Sequence, residues 1–376
     1  VVEEGGLIKG LEGVVAAETA LCDLDGAGGR LAYRGYDIAE LARHGTFEDV
    51  AHLLWRGELP TRAQLESFTA ELVAARPVPE PLLAAFRLLP GDADPMRALQ
   101  LAAAMLGTFD PDAADNSLAA NLRKAARLTS QLATAICAHH RIRLGKEPVP
   151  PSRDLGHAAN FLFMLTGERP ATVNARAFDA SLILYAEHEL NASTFTTRVI
   201  SSTLSDMHSA VAGGIGAIKG PLHGGAGEAV MRTLLEIGGV ENVAGFVETA
   251  LATKRRLMGF GHRVYRAGDP RAAVLRGLAE EACRQSGQGK WFETAVRLHE
   301  RIKAAKGLIP NVDFYSAPLF YSLGIPVDLF TPVIVAARIA GWTANLIEQY
   351  EDNRLIRPRG QYTGPGRRPF VPLAER

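Results

Sequence analysis

The sequence predicts a mainly α-helical protein of two lobes, with a small β-hairpin region near its N-terminus. Three observations carry this. From Asp37 onward, apolar residues recur at helical spacing almost throughout. No series of buried strands alternates with those helices, which disfavours a doubly wound sheet. No repeat of fixed period is evident, which argues against a solenoid.

Taken in order, residues 5–35 are Gly-rich with short alternating stretches at 7–15 and 31–35, the pattern of one or two small hairpins. Thr46 is placed as the N-cap of a helix whose apolar residues Phe47, Val50, Ala51 and Leu54 stand at i, i+3, i+4 and i+7. Thr61 opens a second helix through Leu72, and Pro81 starts a third. Helical patterning follows near 95–107, 117–141, 154–166, 176–190, 193–213, 225–237, 241–256, 270–285, 291–306, 315–323 and 331–350. The apolar run from Phe330 to Ala337 reads as interrupted by Pro332 and closed by Arg338, short of the ~20 residues that span a bilayer.

Gly220-Pro221 and the stretch from Gly324 to Pro332 read as hinges. They divide the chain into a larger lobe, 1–220 with 331–376, and a smaller lobe, 221–330. The Pro-, Gly- and Arg-rich tail from Asn353 is expected to run extended over a neighbouring surface.

The bulk numbers exclude several function classes. Lys+Arg and Asp+Glu both total 41, so no global field draws the chain onto nucleic acid or a membrane. Cys22, Cys137 and Cys283 are far apart and form no CxxC pair, which fits a reducing cytoplasm better than a disulfide framework or zinc knuckle. The N-terminal residues lack the basic and apolar regions of a signal peptide.

Three segments carry the chemistry. The first runs from Gly259 to Arg271. Two glycines flank Phe260 just before His262, so backbone there can approach a ligand closely. Asp269-Pro270-Arg271 reads as N-cap, N1 and first turn of a helix, which fixes where the Arg271 guanidinium points. Such a fork suits a carboxylate. The neighbouring Lys254, Arg255 and Arg256 read equally well as a solvated helix face.

In the second segment, His223 lies between Pro221 and Gly224-Gly225, ahead of a helix. The positive end of the helix dipole is expected to keep that imidazole neutral and able to donate to a carbonyl becoming an enol. The third segment holds Asp313, which unaided reads as an N-cap. Flanking Val312 and Phe314 would instead desolvate it and raise its basicity. Two imidazoles and a carboxylate can remove one proton and donate another at a carbon centre.

Other motifs fail. His188-Glu189 opens like a zinc-protease HExxH, but Ala192 stands where the second histidine belongs. His139-His140 has no partner at helical spacing and reads as surface. No GxxxxGK[ST] exists, and Gly213-Gly214-Ile215-Gly216 reads as close helix packing. Arg338 is a charge inside an apolar helix and needs a partner, for which a substrate carboxylate is the candidate.

Together these segments resemble the citrate synthase family. PLHGG (221–225), GFGHRVYRAGDPRA (259–272), NVDFYS (311–316), AEHELNASTF (186–195), ARIAGW (337–342), NRLIRPR (353–359) and YRGYDIAELA (33–42) match its motifs in order and cover nearly the whole chain. The short bacterial and archaeal type is the nearest in form.

The resemblance implies a helical homodimer of two-domain subunits that condenses acetyl-CoA with oxaloacetate, without a further cofactor because the coenzyme A thioester is itself a substrate. It implies Asp313 as base, His223 as hydrogen-bond donor to the thioester oxygen and His262 as acid toward the oxaloacetate carbonyl. His188, Asn191, Ser193, Arg271 and Arg338 would line the oxaloacetate site, with Arg357 arriving from the other subunit. Leu257, Met258, Gly259, Phe260, Gly261, Arg266 and Asn311 would meet coenzyme A. Departures are Gly227, where Asn is frequent, Ala317, where Gly is frequent, and Asn345, where His is common. The rival readings are 2-methylcitrate synthase, which uses propionyl-CoA, and a non-catalytic helical protein that binds metabolites.

Overall fold

The computed structural model describes residues 8–376. The start of the expected 7–15 hairpin, Leu7, lies outside the described residues. The remainder of that stretch forms a short 3-10 turn at Lys9–Leu11 rather than a strand. The second hairpin is present and slightly larger than expected. β1 (Cys22–Asp25), β2 (Arg30–Tyr33) and β3 (Tyr36–Asp37) form one antiparallel sheet in the order β1-β2-β3.

Sixteen α-helices follow among the described residues. The first eight are α1 (Ile38–His44), α2 (Phe47–Arg56), α3 (Arg62–Ala74), α4 (Glu80–Arg87), α5 (Pro95–Gly107), α6 (Leu118–Arg143), α7 (His157–Thr166) and α8 (Thr172–Tyr185). The others are α9 (Ala192–Ser201), α10 (Met207–Ile218), α11 (Ala226–Ile237), α12 (Val243–Ala252), α13 (Pro270–Gln285), α14 (Gly289–Lys306), α15 (Val312–Ser322) and α16 (Phe330–Glu351).

Local chemistry sets the ends. Thr46 and Thr61 each close a capping box, with Asp49 and Gln64 respectively. Asp37, Asp94, Ser117 and Asp206 cap α1, α5, α6 and α10 with side-chain oxygens. Gly57, Gly167, Gly238 and Gly307 end α2, α7, α11 and α14 in the left-handed conformation.

Three sequence expectations need correction. The single helix expected over 193–213 is two, α9 and α10. The Ser201, Ser202 and Thr203 hydroxyls bond back to the carbonyls of Arg198, Val199 and Ile200, competing with helix propagation. Asp206 then caps a new start by accepting from the Ser209 amide at 2.8 Å.

His139 and His140 are buried, not surface. His139 meets the Phe86 ring edge-on, and His140 faces Arg143, which grips Asp328 at 2.6 and 3.0 Å. A 26-residue helix threaded through the core buries polar positions that sequence spacing alone leaves undecided.

Nor does Pro332 interrupt α16. It sits in the first turn, where a missing N–H costs no helical bond. Val327–Glu351 is long and apolar enough to cross a membrane, yet its apolar 18-residue window is wholly buried inside the protein.

α16 is the central post. It packs against α2, α6, α8, α9 and α10, while α11, α12, α13, α14 and α15 pack chiefly on one another. α13 also reaches α1 and α8, so the second group rests on the first. A close approach occurs at Gly341. An added Cβ would lie 2.2 Å from Glu187 Oε2 and 2.3 Å from the Ala186 carbonyl oxygen. Gly341→Ala is therefore expected to destabilise by at least the ~1–3 kcal/mol of an overpacked core, seen as a lower melting temperature; an unchanged melt would contradict this packing.

Candidate active site

The central site residues come from five elements around the packing of α11 and α13 on α15, with α16 beside α11. His188 lies in the turn between α8 and α9, His223 in the turn before α11 and His262 in the loop before α13. Asp313 is in the first turn of α15, and Arg338 is at mid-length in α16.

Asp313 is not the N-cap of its helix. Asn311 holds that position and accepts the Asp313 amide at 3.1 Å, which puts Asp313 at the second helical residue with its carboxylate free of capping. Oδ1 instead accepts from the Tyr185 hydroxyl at 2.8 Å. Burial raises the carboxyl pKa, against the pull of that hydroxyl and of Arg271. Gly227, in the first turn of α11, stands beside it; a Cβ there would lie 4.0 Å from Asp313 Oδ1. The turn bearing His223 thus abuts the turn bearing Asp313.

His223 Nε2 faces Ser193, whose amide lies 3.3 Å away and whose Oγ lies 2.8 Å away. With the ring proton on Nδ1, Nε2 accepts from both, and Nδ1–H is left to donate elsewhere. The pKa is lowered to about 4, by burial first and by Arg338 next. Desolvation thus favours the neutral ring that the helix end was expected to favour.

His262 has its tautomer fixed. Nδ1 accepts from the backbone amides of Val264 at 3.0 Å and Tyr265 at 3.2 Å, so the proton sits on Nε2. Burial and then Arg271 lower its pKa. His188 packs edge-on to His262 with ring centroids 5.3 Å apart, and its Nε2 meets the Tyr265 hydroxyl at 3.1 Å. Its pKa is held well below the ordinary value by burial, Arg271, Arg338 and His262. All three imidazoles are neutral near pH 7.

Arg271 is buried and already paired. Its Nε and Nη2 donate to Asp269 Oδ1 and Oδ2 at 2.9 and 2.8 Å, so Asp269 is partner as well as N-cap. Asp269 Oδ2 also accepts the Val312 amide at 2.9 Å, which ties the His262 loop to the Asp313 helix. Asn311 reinforces that tie with its Nδ2 on the Gly261 carbonyl at 3.0 Å, so its amide is committed within the protein. Gly259 has φ +85°, and a Cβ would fall 2.5 Å from Val230 Cγ2, so only glycine fits.

Arg338 differs. It is buried, Nε donates to the Tyr185 carbonyl at 2.6 Å, and it makes no ion pair among the described residues. Both arginines act on the same groups. Arg271 bears on His188, His262 and Asp313, and Arg338 bears on His188, His223 and Asp313. One anion-seeking pocket is the result.

Asn191 caps α9, its Oδ1 accepting the Ser193 and Thr194 amides. Arg266 is exposed, and its amide donates to Gly26 in the β1–β2 turn at 2.8 Å. Leu257, Met258 and Phe260 are partly buried against the core. Lys254 and Arg256 are exposed and the exposed Arg255 pairs with Glu236, solvated as the charge run allowed, but beyond the end of α12 rather than on a helix face. Arg357 is exposed beyond Ile356, whose amide is fixed on Ser202 at the end of α9; it is not part of this chain's own cluster. Two surface clefts of about 310 and 350 Å³ lie elsewhere and contain none of these residues.

Tyr185 and Tyr265 touch these groups although no sequence motif gave either a role. Their signal was position, since each stands within three residues of a histidine that had been singled out.

A mainly helical scaffold burying two arginines, three neutral imidazoles and one basic carboxylate defines an enzyme of proton transfer on small anions. Comparison with known proteins narrows this. The family model described as citrate synthase, C-terminal domain, matches residues 10–359. A citrate synthase of Bacillus subtilis is 46% identical over 98% of this chain and 99% of its own length. A 2-methylcitrate synthase of Corynebacterium glutamicum is 44% identical over 98% of both. The citrate synthase of the thermophilic archaeon Thermoplasma acidophilum, solved with carboxymethyl coenzyme A and oxaloacetate, superposes with a TM-score of 0.92 at 34% identity, covering 98% of this chain and 99% of that one. The chain belongs to the citrate synthase family.

Proposed function

We propose that this protein condenses acetyl-CoA with oxaloacetate and hydrolyses the resulting thioester to citrate and coenzyme A. The observation that carries the reading is Arg338, a buried guanidinium with one hydrogen bond and no ion pair among the described residues, set among neutral imidazoles and a carboxyl of raised pKa. Its terminal nitrogens donate to no acceptor among the described residues, so the guanidinium fork is open to an anionic ligand.

Asp313 takes a proton from the acetyl methyl, its basicity raised by burial. His223 donates from Nδ1 to the thioester oxygen as the enol forms, a donor fixed before reaction. His262 donates from Nε2 to the oxaloacetate carbonyl as the carbon–carbon bond closes, and water then splits the citryl thioester. Arg271, Arg338 and His188 hold the dicarboxylate, with Asn191 and Ser193 shaping the wall. Arg357 reaches the neighbouring site in a homodimer, which its exposed position on a tethered tail supports. The loop 257–261 with Arg266 receives coenzyme A, and Asn311 supports that loop. Residues 221–330 act as the moving lobe on 1–220 and 331–376. Three free cysteines suit a reducing cytoplasm.

The C. glutamicum relative favours a second reading, propionyl-CoA as acyl donor. One methylene shifts preference by only ~1–3 kcal/mol. Oxaloacetate-dependent thiol release, compared as kcat/KM for the two thioesters, is expected to favour acetyl-CoA. A propionyl preference would reverse the choice, and no release from either would leave a binding protein.

A further inference from the structure

One buried ionisable group at the site has no role in this chemistry. Glu187 precedes His188, and the residue is 1% exposed. Oε2 accepts from Asn345 Nδ2 at 3.1 Å, and Oε1 has no hydrogen-bond partner among the described residues. Gly341, three residues beyond Arg338, makes the room for Oε2. Arg338 Nε is fixed on the carbonyl of Tyr185, two residues before Glu187. Carboxyl and guanidinium are therefore close neighbours without forming an ion pair.

Every element packed on Glu187 contributes a group. Arg338 and Asn345 come from α16. Arg198 comes from α9, with Nε on Asn345 Oδ1 at 2.8 Å and its other end on Glu348. From β2, the Tyr33 hydroxyl donates to the Glu187 carbonyl at 2.8 Å and accepts the Glu187 amide at 3.1 Å. Cys22 faces it from β1, and His188 is its chain neighbour. Arg338 is the first charge acting on Glu187, and Glu187 the first acting on Arg338.

We propose that Glu187 balances the charge of Arg338 in the empty site and takes up a proton from solvent when a substrate carboxylate settles on that arginine. This rests on reading Arg338 as a holder of substrate carboxylate. Two anions beside one buried cation repel, and the one that can be neutralised is the protein's own. Burial already pushes the Glu187 carboxyl up to about 7 against the pull of Arg338 and Arg198, so a small added repulsion protonates it near neutral pH. The sign follows from linkage. The complex binds more protons than the free protein, so affinity for oxaloacetate falls as pH rises above about 7.

The test is calorimetric titration of oxaloacetate into the intact protein, in phosphate and in Tris at pH 7, with native protein and Glu187→Gln. Native protein is expected to take up about half a proton per site and to lose about tenfold in affinity for each unit of pH above neutrality. The Gln variant, nearly the same in shape, is expected to bind with neither effect. Equal uptake by both proteins, or none by native protein, overturns the proposal. Failure of native protein to bind oxaloacetate overturns the reading of the site beneath it. If Glu187→Gln does not fold, Asn345→Ala decides. Loss of the Asn345 donor is expected to move the uptake to higher pH, and an unmoved profile overturns the proposal.

Discussion

Asp313→Asn is expected to bind oxaloacetate about as well as the native protein and to lose most of its turnover, by about 10²- to 10⁴-fold. The substitution keeps the shape at the second residue of α15 and can still accept from the Tyr185 hydroxyl, so the fold has no reason to change. What disappears is a carboxylate with elevated basicity, the property that removing a proton from carbon demands. Steady-state thiol release gives kcat, and calorimetry gives oxaloacetate affinity. A variant with near-native kcat would reject Asp313 as the base; a variant that cannot bind oxaloacetate would show that the residue shapes the pocket instead.

The second large effect is expected at Asp269. Its carboxylate grips Arg271 with two bonds and accepts the Val312 amide, both groups being buried. Asp269→Ala strands a guanidinium out of water, and breaking such a pair costs roughly 3–5 kcal/mol. It also removes the cap of α13 and frees the His262 loop from the helix that carries Asp313. Denaturant unfolding is therefore expected to show a marked loss of stability, and any folded enzyme a raised KM for oxaloacetate. Native-like unfolding with unaltered KM would mean that this pair organises nothing.

Most of the fold was legible because caps and apolar spacing are local. α5 and α13 fall on their expected limits, 95–107 and 270–285, and α2 begins at the expected Thr46 cap. Failures came where local rules compete. Hydroxyl back-bonding at 201–203 split one helical pattern, and the proline at 332 fell in a first turn that tolerates it. Burial of His139 and His140 depends on α4 and on Asp328, residues distant in sequence.

The site was partly legible for the same reason. Glycines around His262 and the Asp-Pro-Arg start of α13 announce a ligand loop, and the Gly259 geometry agrees. The double duty of Asp269, the tautomer-fixing amides on His262 and the Glu187–Asn345 bond need atoms brought together by folding. Asn345, a departure from the family's usual His, gains a meaning only when Glu187 and Arg198 are seen on either side of it.

The most direct measurement is a crystal structure of this protein with oxaloacetate and a non-reacting acyl-coenzyme A analogue bound together. The expected result has Asp313 and His223 Nδ1 within about 3.2 Å of the analogue's acyl group and His262 Nε2 at similar reach of the oxaloacetate carbonyl, with Arg271 and Arg338 on its carboxylates. Ligands seated away from these residues, or any one of the three side chains turned from both ligands, would contradict it.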